Sequence, residues 1–174
     1  MAQELLGRLI DLSVGFIPVD MQTAANTGKR VSLQRSASAL VVLFKAVGTA
    51  ADDPVLTLKQ HTASSSGTTA NLASIDHYYY KAAVSGALAG TETWTRVAQT
   101  ASQTITDPGG LGTSAESSMI VAIPVLGTAL SDGYKYISLD VADVGGNAQL
   151  GCVLYILGDL AVQRTPANLA AALS

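Results

Sequence analysis

The chain has 174 residues, enough for one domain with a substantial core, and its 48% hydrophobic content excludes intrinsic disorder. Only 13% of the residues are charged, against about 25% in an ordinary soluble domain, and the net charge is -3. The basic residues form no cluster, which excludes the electrostatic signature of a nucleic-acid-binding protein. Because monomers stay soluble through interspersed surface charges, this shortage predicts that part of the surface is buried in an assembly.

Residues 1–26 are predicted to form an N-terminal arm. The arm begins with leucines at helical spacing, and residues 13–20 then have the character of an extended segment with Pro18 at its edge. Such an arm can complete the sheet of its own chain or reach a neighbouring subunit, and the sequence supports both alternatives. Charged residues interrupt the segment where a signal peptide needs an apolar stretch, so we expect no targeting signal.

Strand patterns follow one another from Lys29 onward, separated by loops rich in Gly, Pro, Ser, Asp and Thr. Some patterns alternate apolar and polar residues, and others are continuous apolar runs. The predicted strands are residues 30–34, 39–44, 55–61, 77–81, 93–99, 102–106, 118–124, 136–141 and 149–157. We therefore predict an all-β fold. It is an antiparallel β-sandwich of jelly-roll type over residues 27–162, with extended N- and C-terminal arms at residues 1–26 and 163–174.

The chain is organised around residues 132–157, which are predicted to form a long hairpin. Asp132-Gly133 is typical of a tight turn before the first strand, and residues 136–141 alternate as a strand with one buried face does. Gly145-Gly146-Asn147 is the predicted turn between the two strands. The returning strand is apolar on both faces. One face consists of Leu150, Cys152, Leu154 and Ile156, and the other of Val153, Tyr155 and Leu157. Such a strand is central in a covered sheet, or a partner buries its outer face.

The sequence carries no motif that predicts an enzyme, and we expect no catalytic residue, cofactor or metal. A zinc site would need His61, His77 and Cys152 to converge without the paired spacing of zinc ligands. A hydrolytic triad built from the serines of residues 64–66, a histidine and Asp76 lacks the Gly-x-Ser-x-Gly elbow. Cys152 is the only cysteine and is interpreted as a small buried hydrophobe.

Aromatic residues support an alternative function, a carbohydrate- or receptor-binding β-domain. Successive strand residues point to opposite faces, so Tyr78 and Tyr80 share a surface that Tyr79 does not. These tyrosines and Trp94 are interpreted as core or interface residues. Exposure of Tyr78, Tyr80 or Trp94 on a concave face would favour the binding function instead.

Five segments carry a resemblance to a known class of proteins: residues 39–44, 53–60, 93–97, 131–137 and 149–157. Taken in order, they resemble the small β-sandwich virion proteins of tailed phages, the head decoration, cement or minor capsid class. The resemblance implies a structural protein that stabilises a capsid by binding the major capsid protein lattice. It also implies a homo-oligomer, such as a dimer or trimer, on the capsid surface after synthesis in the host cytoplasm. Neither nucleic acid nor membrane is an expected partner.

The apolar N-terminal segment and the Ala-rich tail depart from that class. They would serve as clamps on the capsid, or would indicate a neck or tail component of the virion. We expect the interface to consist of apolar residues from both arms and the last strand. These are Leu5, Leu6, Leu9, Phe16, Ile17, Val153, Tyr155, Leu169 and Leu173.

Overall fold

Strands make up most of the regular structure in the computed structural model, which describes residues 5–84, 86–109 and 115–173. The strands of this part of the chain are β1 (Ile10–Asp20), β2 (Asn26–Thr27), β3 (Val31–Ser32), β4 (Ser36–Lys45), β5 (Leu56–His61), β6 (Thr69–Asn71), β7 (Ile75–Ala82), β8 (Thr95–Ser102), β9 (Thr104–Ile105), β10 (Met119–Leu126), β11 (Tyr136–Val141) and β12 (Leu150–Leu160). Single 3-10 turns lie at Gly127–Ala129 and Pro166–Asn168.

The strands form two antiparallel sheets that pack against each other. The large sheet has the order β1-β12-β4-β10-β7-β8. The small sheet has the order β2-β11-β5-β6, with β3 beside β11 and β9 beside β5. The prediction of an all-β, antiparallel β-sandwich is therefore confirmed. Most neighbours within a sheet are not consecutive in the chain, because the chain crosses repeatedly from one sheet to the other.

The core lies between the sheets and is built from every second residue of the long strands. The inward-facing core residues of β4, β11 and β12 are Ala39, Val41, Leu43, Ile137, Leu139, Val141, Val153, Tyr155 and Leu157. Burying one Val, Leu or Ile side chain stabilises a fold by about 1.5–3 kcal/mol. A slip of one residue would turn a whole set outward, so this alternation specifies the register of the strands.

The two strands of the predicted hairpin do not pair, so that prediction is wrong. β11 lies in the small sheet between β5 and β2, whereas β12 lies in the large sheet between β1 and β4. The connection, residues 142–149, crosses the gap of about 10 Å that separates stacked sheets. A strand that is apolar on both faces gains more burial at the centre of the large sheet than in a two-stranded ribbon. The predicted turn at Asp132-Gly133 is present, with Gly133 at φ +82°.

The predicted N-terminal arm belongs to the sandwich from Ile10 onward. β1 is the edge strand of the large sheet and pairs with β12, with register shifts on either side of Phe16. Of the two alternatives, the segment thus completes the sheet of its own chain, and a boundary at residue 27 does not separate it from the domain.

The C-terminal tail also contacts the folded domain. The Ser32 N–H donates to the Ala172 carbonyl at 2.8 Å, and the Arg164 N–H donates to the Gly7 carbonyl at 2.8 Å. The two chain ends therefore lie together at one end of the sandwich.

Candidate functional site

The outer face of the large sheet carries apolar side chains on four adjacent strands. We call this surface the apolar face. It consists of Leu12, Val14 and Ile17 on β1, Leu150, Cys152, Leu154 and Ile156 on β12, Leu40, Val42 and Phe44 on β4, and Ile120, Ala122, Pro124 and Leu126 on β10. None of these side chains is an acid or a strong base, so a partner could cover the face without desolvating a charge.

Cross-strand pairing joins these residues into continuous rows. From β12 across β4 to β10, the rows are Cys152–Phe44–Ile120, Leu154–Val42–Ala122 and Ile156–Leu40–Pro124. Paired residues on one face of a sheet have Cβ atoms about 4.5–5.5 Å apart. The apolar face is therefore one contiguous surface and not a scatter of single exposed residues.

The size and exposure of the apolar face distinguish it from ordinary surface. Leu12, Phe44 and Leu154 are 54%, 48% and 44% exposed, respectively. With strands about 4.8 Å apart and residues about 3.4 Å apart, its outline measures roughly 20 Å by 25 Å, or about 500 Å². The largest apolar patch on a typical monomer covers about 300–600 Å² and is often functional, so the apolar face is a candidate interaction site.

Three of the predicted interface residues lie in the core and not on this face, so their prediction as interface residues is wrong. Val153 and Tyr155 have no exposed surface, and Phe16 is 8% exposed. The Tyr155 hydroxyl reaches across the sandwich and accepts the Leu139 N–H at 3.0 Å. Because both faces of β12 are apolar, its pattern did not indicate which face meets the small sheet. The side of β12 that points outward is the one with Leu154.

The other predicted interface residues are accessible to different degrees. Ile17 is 62% exposed and belongs to the apolar face. Leu5, Leu9 and Leu173 are exposed near the chain ends. Leu6 and Leu169 are half-buried there.

The two ends form a second surface with exposed apolar side chains, which we call the terminal patch and define as residues 5–9 and 162–173. The space that a side chain on Gly7 would need is occupied by the Arg164 carbonyl, and Gly7 has φ +81°. A hollow of about 240 Å³ runs beside the patch, between the tail and Leu157 on β12. The sequence predicted both segments as arms but had no signal that they would meet.

Charged side chains appear where the large sheet continues into β7 and β8. The Lys81 ammonium lies 4.9 Å from the centre of the Trp94 ring. Asp76 and His77 Nδ1 are 2.6 Å apart, and this hydrogen bond holds the pKa of Asp76 below its ordinary value. These groups border the apolar face without interrupting it.

His61 is buried in the small sheet, where its two ring nitrogens lie 2.9 Å from Thr69 Oγ1 and Ser138 Oγ. Burial lowers the pKa of His61 to about 4, and the charge of Arg30 acts in the same direction. The imidazole is therefore neutral at pH 7. Ser138 has no exposed surface, so a substrate cannot reach this serine–histidine pair. The arrangement links β5 to β6 and β11.

Lys45 is fully buried at the end of β4. Its ammonium donates to the carbonyl of Ser117 at 2.7 Å and to that of Ala115 at 3.4 Å. Burial lowers the pKa of Lys45 to about 8, although the negative charge of Asp53 opposes the shift. The lysine anchors the segment that leads into β10, and its role is structural.

The candidate catalytic and metal residues do not assemble into a site in the described ranges. Asp76 contacts His77, whereas His61 contacts Thr69 and Ser138. Among the residues that the structure describes, no group of three or more His, Cys, Asp or Glu could hold a metal ion. The same ranges contain no helix with the length and hydrophobicity needed to span a bilayer.

Comparison of the chain with protein-family models, with curated proteins and with solved structures found no match.

Proposed function

We propose that the chain is a structural protein of a virion, which decorates and stabilises a tailed-phage capsid by binding the major capsid protein lattice. The observation that carries this proposal is the apolar face, a contiguous surface without charged side chains on a chain that is only 13% charged. An isolated subunit would leave that surface in water, whereas a particle built from many subunits covers it. The resemblance to head decoration proteins supports the same function.

The mechanism is association and not catalysis. Covering about 500 Å² of apolar surface releases roughly 12 kcal/mol at about 25 cal/mol per Å². The loss of translational and rotational freedom offsets a large part of this gain in a single contact. In a shell the contacts repeat, and each subunit held by one neighbour binds the next at high effective concentration. The sum of such contacts raises the resistance of the shell to internal pressure.

The terminal patch is the surface that we assign to the capsid lattice. Leu5, Leu9 and Leu173 are each about half exposed and belong to segments that join at one end of the sandwich. Contact at this end leaves the apolar face free for neighbouring decoration subunits. A position at the neck or tail of the virion would use the same two surfaces and remains the closest alternative.

The proposal is tested on particles purified from a culture that carries the gene. Quantitative mass spectrometry should find the chain in a fixed ratio to the major capsid protein, and its absence from the particles would refute the proposal. Particles stripped of the chain should then rebind purified protein in a sedimentation assay.

The deletion for this assay must spare β1, because removing residues 1–26 would strip the edge strand from the large sheet. A chain without residues 1–9 should stay in the supernatant while its circular dichroism spectrum remains unchanged. The matched control is Val84→Ser, since Val84 is fully exposed and lies on neither surface. This variant should sediment with the particles.

One observation favours a carbohydrate- or receptor-binding domain as a second candidate. Of the three aromatic residues considered for it, Trp94 is 49% exposed, Tyr80 is half-buried and Tyr78 is in the core. Lys81 lies over the Trp94 ring, so a sugar could stack on the opposite side. The single tryptophan makes the test direct. A glycan that binds there should change the fluorescence of the wild type, and unchanged fluorescence across a glycan panel would exclude this function for Trp94.

A further inference from the structure

The apolar face has a protruding side chain and a hollow on the same strand. Phe44, 48% exposed, protrudes between Cys152 and Ile120 at one end of β4. The hollow has a volume of about 270 Å³ and lies at the other end. It is lined by Ser38, Leu40, Pro124, Leu126, Ile156 and Gly158.

The small residues explain the hollow and its position. Ser38 and Gly158 are cross-strand partners, so two adjacent strands lack a large side chain at the same level. Ser38 and Phe44 both point outward and are six residues apart, which corresponds to about 20 Å along a strand. The level midway between them passes between the outward residues Leu40 and Val42.

We propose that the apolar face binds a second copy of the chain around a two-fold axis, with Phe44 of each copy seated in the hollow of the other. The axis lies in the interface, perpendicular to β4 at its midpoint. It reverses the strand direction, so position 44 of one copy lies over position 38 of the other, and the converse contact forms at the same time. The inference rests on the proposed function in naming the occupant of the apolar face.

Self-complementarity is the argument for a second copy over an unrelated partner. In a two-fold interface, any residue i that contacts j is matched by j contacting i. Phe44 and the hollow lie at equal distances from the midpoint of β4, so the surface meets that condition. An unrelated partner would require no such spacing. An apolar cavity of about 150 Å³ holds a benzene ring, so the hollow has room for the phenyl group.

The area and composition of the face also fit a dimer. Two faces of about 500 Å² in outline contribute at least about 1,000 Å², the area from which a specific interface is expected. Homodimer interfaces are more apolar than other contacts, and the carboxylate that borders the hollow, that of Asp159, accepts a hydrogen bond from Ser38 Oγ at 2.8 Å. Two sheets that pack in this way lie about 10 Å apart.

Disulfide trapping tests the predicted contact. In a Cys152→Ser background, a chain with both Phe44→Cys and Ser38→Cys should oxidise to a covalent dimer. The two positions cannot bridge within one chain, because they are about 20 Å apart and a disulfide needs Cα atoms within about 7 Å. Each single substitution should give no covalent dimer, since equivalent positions lie on opposite sides of the axis. A double variant that cross-links no more than the single variants or the control Val84→Cys would overturn the proposal.

A charge at the centre of the face supplies a second, independent test. Leu154 lies in the middle row, so Leu154→Glu should raise the dimer dissociation constant at least 100-fold and reduce the light-scattering mass from twice 17.8 kDa to 17.8 kDa. Leu9→Glu, at a comparably exposed site on the terminal patch, should remain dimeric. Circular dichroism checks that both variants are folded. A dimer that survives Leu154→Glu uses another surface and refutes the inference.

The two proposals fail separately. A chain that is monomeric in solution but present in purified particles would overturn the dimer and leave the structural function standing. A chain that dimerises through Phe44 but is absent from particles would overturn the structural function and leave the dimer standing.

Discussion

Replacing Tyr155 by phenylalanine tests how the two sheets are held in register. Tyr155 is fully buried on β12, and its hydroxyl accepts the N–H of Leu139 on β11 at 3.0 Å. That N–H lies where the edge of β11 has no strand beside it, since β3 pairs at Ile137 and β2 pairs from Asp140 onward. The tyrosine thus supplies, from the opposite sheet, the acceptor that an edge strand would otherwise provide.

Tyr155→Phe keeps the ring and removes this acceptor. A buried donor left without a partner costs about 1–3 kcal/mol, and the packing of the ring is unchanged. For a domain of this size, each kcal/mol lowers Tm by roughly 2–4 °C, so the variant should melt about 2–12 °C below the wild type. Burial raises the pKa of Tyr155, so the hydroxyl stays protonated throughout the physiological range and the effect should not depend on pH there.

Differential scanning calorimetry of the two proteins measures this difference. The control is Tyr79→Phe, a half-buried tyrosine on the rim of the large sheet, and it should shift Tm by less than the core substitution. A Tyr155→Phe variant as stable as the wild type would refute the idea that this hydroxyl completes the backbone hydrogen bonding of β11.

Three further predictions concern buried groups. The pKa of Lys45 is lowered to about 8, so the folded state binds fewer protons than the unfolded state between pH 8 and 10. Denaturant titrations should therefore show wild-type stability rising by about 2 kcal/mol over this range relative to Lys45→Met, and a constant difference would contradict the assignment. The pKa of His61 is lowered to about 4, so the histidine's contribution to the free energy of unfolding should be complete above about pH 6.5. It should fall by at most about 3 kcal/mol towards pH 4, and His61→Leu should lack this loss in the same titration. Gly28→Ala would press a methyl group against the backbone carbonyl of Leu139 and place it 2.8 Å from Tyr155 Oη, so it should cost about 1–3 kcal/mol in chemical denaturation. Gly146→Ala, which meets nothing within 4 Å, should cost less than 1 kcal/mol.

Sequence reasoning identified the central strands because alternating apolar and polar residues, or continuous apolar runs, indicate buried strands. Residues 39–44 fall within β4, and the predicted strands 55–61 and 118–124 overlap β5 and β10, each beginning one residue early. The two-residue strands β2 and β3 left little periodicity to read, and β6 lies next to a loop of small polar residues. Short strands of this kind owe their structure to the neighbour that they pair with, which a local pattern does not reveal.

Which strand pairs with which was the part that the sequence did not determine. The Gly145-Gly146-Asn147 turn between two strand patterns suggested a hairpin, yet β11 and β12 belong to different sheets. A connection of this length can turn back within one sheet or cross to the other. The choice depends on the total burial of all strands, so it is a property of the whole fold.

The same limit explains the outcome for the candidate site. The sequence predicted that β12 is central in a covered sheet or has an outer face buried by a partner, and the apolar face is the outer face of that strand. It placed Val153 and Tyr155 on that side, however, because a strand with two apolar faces offers no local signal of direction. The buried hydroxyl of Tyr155, with its partner on the small sheet, determines the orientation and becomes visible only when both sheets are in place.

The reactivity of the native cysteine measures most directly whether the apolar face is covered. Cys152 is the only cysteine, lies beside Phe44 and is partly accessible in the single chain. If a second copy covers the face, a maleimide should label Cys152 slowly in concentrated protein and faster on dilution. The rate at high dilution should approach that of the monomeric variant Leu154→Glu. The same rate at every protein concentration, equal to that of Leu154→Glu, would contradict the account.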